Sequence, residues 1–124
     1  VTGVEVSSGA ISSAISAARH AGLSRSAASF IADDATAWAR AQSPEDVPDV
    51  IVVNPPRRGI GADLAAYLNE CSAPRVIYSS CNPTTLAADL ARMPSLRAVE
   101  GRLFDMFPHT THAEVALLLE REGA

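Results

Sequence analysis

The chain has 124 residues, 48% of them hydrophobic and 19% charged, with a formal net charge of -4. That is one domain's length with enough apolar content for a core, which excludes an intrinsically disordered or collagen-like chain. No apolar run approaches the roughly 18 residues of a membrane span and the first residues lack the order of a secretory signal, so the expectation is a soluble, cytoplasmic protein with no membrane contact.

Val1-Thr2-Gly3-Val4-Glu5-Val6 reads as a strand already under way, which suggests a fragment. Residues 7–22 carry Ile11, Ala14, Ile15 and Ala18 at helical spacing, open on serines suited to capping and stop at Gly22. A short strand over 28–32 ends at Asp33-Asp34, and a helix over 35–41 precedes the polar, proline-bearing stretch 43–48. Residues 49–54, Asp-Val-Ile-Val-Val-Asn, form a continuous β-branched run, the pattern of a parallel strand buried on both faces, and Pro55-Pro56 terminates it.

Residues 61–71 suit a helix with Leu64, Tyr67 and Leu68 inward, and residues 75–80 suit another buried strand. Asn82 caps the next helix, with Pro83 at its first position, running to about Arg92. Extended segments over 96–107 and 114–121 flank a polar turn, Pro108-His109-Thr110-Thr111-His112. The regular alternation predicts an α/β fold with a doubly wound, mostly parallel sheet and a C-terminal antiparallel hairpin.

In such sheets ligands bind beyond the carboxyl ends of the strands. Glu5 ends the first strand, where an acidic side chain can accept from ribose hydroxyls or be an ordinary surface group. Asn54-Pro55-Pro56-Arg57-Arg58-Gly59 follows the most hydrophobic strand; its prolines fix an extended path, and Asn54 both donates and accepts, which suits gripping a planar, edge-polar group. Arg57 and Arg58 can meet phosphates or simply be solvated.

Ser80-Cys81-Asn82-Pro83 is the sharpest local feature, because Cys81 sits between a buried strand and a helix N-terminus, whose dipole and free N–H groups favour a nucleophilic thiolate. Cys71, at a helix end, reads as a small packing residue. Two cysteines are too few for a disulfide framework or a four-ligand zinc site, and His109, His112 and Glu114 lack the spacing of a metal site, so no metal is expected. Cys81 with His109 or His112 leaves a Cys-His hydrolase open.

Together, Asn54-Pro55-Pro56-Arg57-Arg58-Gly59, the string from Tyr78 through Ser80-Cys81-Asn82-Pro83 to Leu86, and Asp105-Met106-Phe107-Pro108-His109-Thr110-Thr111-His112-Ala113-Glu114 resemble the three C-terminal signatures of the RNA uracil-C5 methyltransferases in order and spacing. The asparagine in the first motif and the Leu103-to-Thr110 string most resemble the bacterial 23S ribosomal RNA branch. Gly3-Val4-Glu5 and the following helix resemble the family's second cofactor-binding segment.

The resemblance implies a Rossmann-like methyltransferase domain of which residues 1–124 are the C-terminal part. It implies transfer of a methyl group from S-adenosylmethionine to C5 of an RNA uridine, with Cys81 adding to C6 and Glu114 removing the C5 proton, tuned by a donor such as His112 or Thr110. Glu5 would hold the cofactor ribose, Asp34 would lie on the adenine side, Asn54 between cofactor and base, and Pro55, Arg57 and His112 near the substrate. The expected partner is RNA, ribosomal rather than transfer.

The family's glycine-rich first strand and loop are not found, nor cysteines for an iron–sulfur cluster, so no cluster is expected and the chain alone should be impaired. The missing strand would lie between the first strand and that of residues 50–54, leaving either a directly paired sheet or an open edge through which copies could associate. The acidic balance implies that the RNA-gripping surface lies elsewhere. The alternatives are a non-catalytic interaction module and an Asn-Pro-Pro amino-group methyltransferase, which needs no thiol.

Overall fold

The computed structural model describes residues 1–106, 109–110 and 112–123, and the chain forms two compact units, Val1–Gln42 and Ser43–Ala124. In the first, strand β1 (Thr2–Glu5), helix α1 (Ser8–His20), strand β2 (Ser29–Ala32) and helix α2 (Ala35–Arg40) make a βαβα unit whose strands pair in parallel, with Glu5 opposite Ala32. Local chemistry sets both helix starts: Ser7 Oγ accepts from the Ala10 N–H at 3.2 Å and Asp34 Oδ1 from the Ala37 N–H at 2.8 Å. Ile11 is the buried residue of α1, while Ile15 stays exposed.

The second unit opens with a 3-10 turn (Pro44–Asp46) and continues through β3 (Val50–Val53), α3 (Gly61–Glu70), β4 (Arg75–Ser80), α4 (Pro83–Ala91), β5 (Leu96–Phe104) and β6 (Glu114–Arg121). Its sheet runs β3-β4-β6-β5, with β3 and β4 parallel and β6 antiparallel to both its neighbours. The α/β class, the parallel βαβ connections and the antiparallel C-terminal pair follow the sequence pattern. The insertion of β6 between β4 and β5 does not, because strand order is a long-range property.

The core of this unit lies on one face of the sheet. Val76, Tyr78 and Leu119 are wholly buried there against Ala65 and Leu68 of α3, Leu86 of α4 and Met93 just after it, with Ile51, Val53 and Leu117 packed around them. Burying each large aliphatic side chain contributes about 1.5–3 kcal/mol. Leu64 and Tyr67 pack against this cluster as their spacing predicts.

The expectation that β3 is buried on both faces is corrected: Val50 is 41% and Val52 65% exposed. Ile51 and Val53 face the core, while the two alternate valines face the side of the sheet away from α3 and α4. Among the described residues β1 pairs with β2 in the first unit, and the sheet of the second unit begins at β3.

Two polar devices hold the core's ends. Arg121 closes the C-terminus of α3, its guanidinium donating to the carbonyls of Leu68, Asn69 and Ala73 at 2.7, 2.8 and 3.0 Å, with Cys71 Sγ 3.7 Å away. Cys71 is thus part of a helix ending. Asp89, 1% exposed, accepts from the Tyr78 hydroxyl at 2.5 Å and the Ile60 N–H at 2.9 Å on Oδ2, and pairs through Oδ1 with Arg92 at 3.2 Å. Burial, then the hydrogen bond to Asp89, raise the Tyr78 hydroxyl well above the ordinary tyrosine value.

A raised folded-state value means that this contribution is complete below the unfolded tyrosine pKa of about 10 and is lost as pH rises toward the folded one. Tyr78→Phe should cost about 1–3 kcal/mol at neutral pH, because Asp89 keeps its burial and loses a donor. The gap to wild type should shrink in strongly alkaline buffer, as urea unfolding at the two pH values would measure.

Candidate active site

The second unit gathers three segments at one end of its sheet. The first is the loop after β3, where Pro55 and Pro56 supply no N–H and Asn54 is exposed. A turn closes it through the Gly59 N–H on the Pro56 carbonyl at 3.0 Å. Gly59 has φ +84°, and a Cβ there would collide with the Asp89 carboxylate, so both conformation and close approach require glycine.

The second segment follows β4. Ser80 Oγ accepts from the Asn82 N–H and donates to the Asn82 carbonyl, both at 3.0 Å, so the residues flanking Cys81 are pinned while Cys81 itself is partly exposed. Asn82 Oδ1 caps α4 by accepting from the Thr84 N–H at 3.1 Å, and its Nδ2 donates to the Arg57 carbonyl at 3.1 Å. Thr85 Oγ1 donates to that same carbonyl at 2.8 Å. The Thr84 and Asn82 N–H groups are therefore spent on side chains rather than offered to the thiol.

The third segment is the start of β6. The antiparallel register pairs Ser80 with Val115, so Cys81 follows the last paired residue of β4 and Glu114 is the first residue of β6. Glu114 is partly buried and its Oε2 accepts from Ser79 Oγ at 3.3 Å, a donor that sequence reasoning missed. His112 is exposed and its Nδ1 stands 3.2 Å from Arg57 Nη1, joining the first segment to the third. Its N–H donates to Thr110 Oγ1 at 3.2 Å, and His109 adopts φ +65°. Phe107, Pro108 and Thr111 of the third motif lie outside the described residues.

Among the described residues no hydrogen bond joins Cys81 to His109 or His112, and no three His, Cys, Asp or Glu side chains form a metal-binding group.

Glu5 and Asp34 stand in the first unit, at the carboxyl ends of the parallel pair β1 and β2. Glu5 is exposed, with Oε1 on the Ser7 N–H at 3.1 Å, and the Asp33 N–H donates to the Glu5 carbonyl at 3.1 Å. Asp34 spends Oδ1 capping α2. A shallow cavity of about 250 Å3 in this unit, bounded by residues including Arg19, Arg25 and Phe30, contains none of the predicted site residues.

Parallel βαβ units with polar groups at the strand ends, finished by an antiparallel strand pair, define a Rossmann-like methyltransferase fold. An N-methyltransferase, NodS from Bradyrhizobium japonicum, shares it at a TM-score of 0.69 and 17% identity over 98% of this chain and 73% of that one. Residues 46–122 match the tRNA (Uracil-5-)-methyltransferase family, and the chain belongs to that family.

It is 48% identical over its whole length to the 23S rRNA (uracil(747)-C(5))-methyltransferase RlmC of Edwardsiella ictaluri, spanning 32% of that protein. The Pyrococcus abyssi tRNA (uracil-54, C5)-methyltransferase, solved in complex with S-adenosyl-L-homocysteine, superposes at a TM-score of 0.82 with 31% identity, over 96% of this chain and 28% of that one. The chain thus spans about a third of the length of the curated relatives it matches. No helix among the described residues is long and apolar enough to cross a membrane.

Gly59→Ala should destabilise the second unit by about 1–3 kcal/mol. Gly61→Ala, at φ +82° but with open space around its Cβ, should cost only the left-handed conformation, about 1–2 kcal/mol. Denaturant unfolding of the two variants side by side checks the order.

Proposed function

We propose that this chain carries the nucleophile and the base of an RNA uracil-C5 methyltransferase acting on 23S ribosomal RNA in the cytoplasm, through a covalent Cys81–C6 adduct. The observation that carries the reading is the pairing of β4 with β6, which brings Cys81 and Glu114 to adjoining strand ends in a chain of this family. The ribosomal substrate is supported by the 48% identity to RlmC, against 31% to the transfer-RNA enzyme.

Pyrimidine C5 is a poor nucleophile until a thiolate adds at C6. In this reading the uridine leaves its stack, the sulfur of Cys81 bonds to C6, and the displaced electron pair makes C5 carbanion-like. S-adenosylmethionine, when bound, would supply an electrophilic methyl group to C5, its sulfonium sulfur keeping the S–CH3 electron pair and leaving as the thioether S-adenosylhomocysteine. Glu114, oriented by Ser79, then accepts the C5 proton; the C–H pair re-forms the C5–C6 double bond and Cys81 leaves as thiolate.

Glu5 suits the cofactor's ribose, since Oε1 is held by Ser7 and Oε2 remains for a hydroxyl. Asp34 retains Oδ2 for the adenine side, with Oδ1 on the helix cap. Asn54 and Pro55 border the base, and Arg57 with His112 forms a polar flank for the RNA strand. Self-association through β3, the terminal strand of its sheet, belongs to the same reading.

The native polypeptide carrying these residues should form a covalent complex with 5-fluorouridine RNA in the presence of S-adenosylmethionine, and Cys81→Ser should abolish it. Methyl transfer that survives Cys81→Ser would instead favour an amino-group methyltransferase, and a native protein forming no complex would sink the proposal.

Glu114→Gln should still add to uridine and retain the adduct, with turnover roughly 100- to 10,000-fold slower. Gel-shift trapping and single-turnover kinetics report both steps.

A further inference from the structure

Asn82, Thr85 and Asp89 stand three and four residues apart along α4, on one helix face. All three grip the loop after β3. Asn82 Nδ2 and Thr85 Oγ1 hold the Arg57 carbonyl at 3.1 and 2.8 Å, and Asp89 Oδ2 holds the Ile60 N–H at 2.9 Å. The loop cannot brace itself in the usual way, because Pro55 and Pro56 have no N–H and the Arg57 carbonyl has no ladder or helix to join.

Asp89 is a buried carboxylate, expensive unless its oxygens are bonded, and here Tyr78, Ile60 and Arg92 bond them while Gly59 makes room. Thr85 Oγ1 also lies 3.2 Å from the carbonyl of Asn82, the residue directly after Cys81. One helix face therefore fixes both the loop that starts at Asn54 and the backbone beside the thiol.

We propose that Asn82, Thr85 and Asp89 are positioning residues that lock the Asn54–Gly59 loop to the Cys81 segment, so that a base held at the loop meets the thiol in a fixed attitude. The link to turnover rests on the function proposed above; the lock itself does not.

Thr85→Val keeps the shape and removes the donor, Thr85→Ser is the conservative rescue, and Asp89→Asn tests the far end of the grip. Each is made in the native polypeptide and checked for folding by urea unfolding. The first readout needs no RNA: the rate at which iodoacetamide alkylates Cys81 relative to Cys71, by mass spectrometry. The second is kcat and KM for RNA methylation.

Thr85→Val should change the Cys81:Cys71 rate ratio by at least about threefold, as a thiol in an altered setting does. It should also lower kcat roughly tenfold, with KM within about twofold, since a misplacement of about 1 Å costs up to about 100-fold in rate. Thr85→Ser should restore both. If Thr85→Val does not fold, the same two readouts on Asp89→Asn decide the matter.

An unchanged ratio in the folded variant overturns the lock, and a changed ratio with unchanged turnover overturns its role in the reaction. A wild-type protein without turnover or adduct overturns the proposed function instead, and the alkylation ratio still decides the lock.

Discussion

The carboxylate of Asp89 is where three separately encoded parts of the second unit meet. It takes the hydroxyl of Tyr78 from β4, the N–H of Ile60 from the loop after β3, and the guanidinium of Arg92 at the end of its own helix. A charge with 1% exposure is tolerated only because each oxygen has a partner, and satisfying it fixes where α4 lies on the sheet and where the loop turns. The glycine at position 59 follows from the same constraint, since the carboxylate occupies the space of any side chain there.

The second constraint is the position of β6. By pairing with β4 as well as β5, it carries Glu114 to the end of the strand that leads into Cys81, and Ser79 on β4 donates to the carboxylate it brings. Arg121 at the far end of β6 closes the C-terminus of α3, so the strand is anchored at one end and bears the Glu114 carboxylate at the other. β5 is an edge strand with Arg97, Glu100 and Arg102 exposed along it and a bulge between Ala98 and Glu100, features that discourage further pairing.

The opposite edge is unlike it. β3 is short, uncharged and has Val50 and Val52 exposed, which is why its hydrophobic run reads as more deeply buried than it is. An alternating or continuous apolar pattern reports what a strand can bury, and the number of covered faces depends on which layers pack against it.

The sequence by itself determined the helices and strands, because periodicity, capping serines and asparagine, and proline and glycine punctuation act within a few residues. It also supplied the three motifs, and with them the methyltransferase reading and Cys81, Glu114, Glu5 and Asn54 as candidates. Tertiary structure alone decided the order β3-β4-β6-β5, and with it the meeting of the end of β4, which leads into Cys81, with the start of β6 at Glu114. Ser79 as the donor to Glu114, His112 as a partner of Arg57, and the grip of Asn82, Thr85 and Asp89 on the loop all cross between elements far apart in the chain. Local pattern carries no information about such pairs, because the free energy that selects them comes from packing and from satisfying buried polar groups in three dimensions.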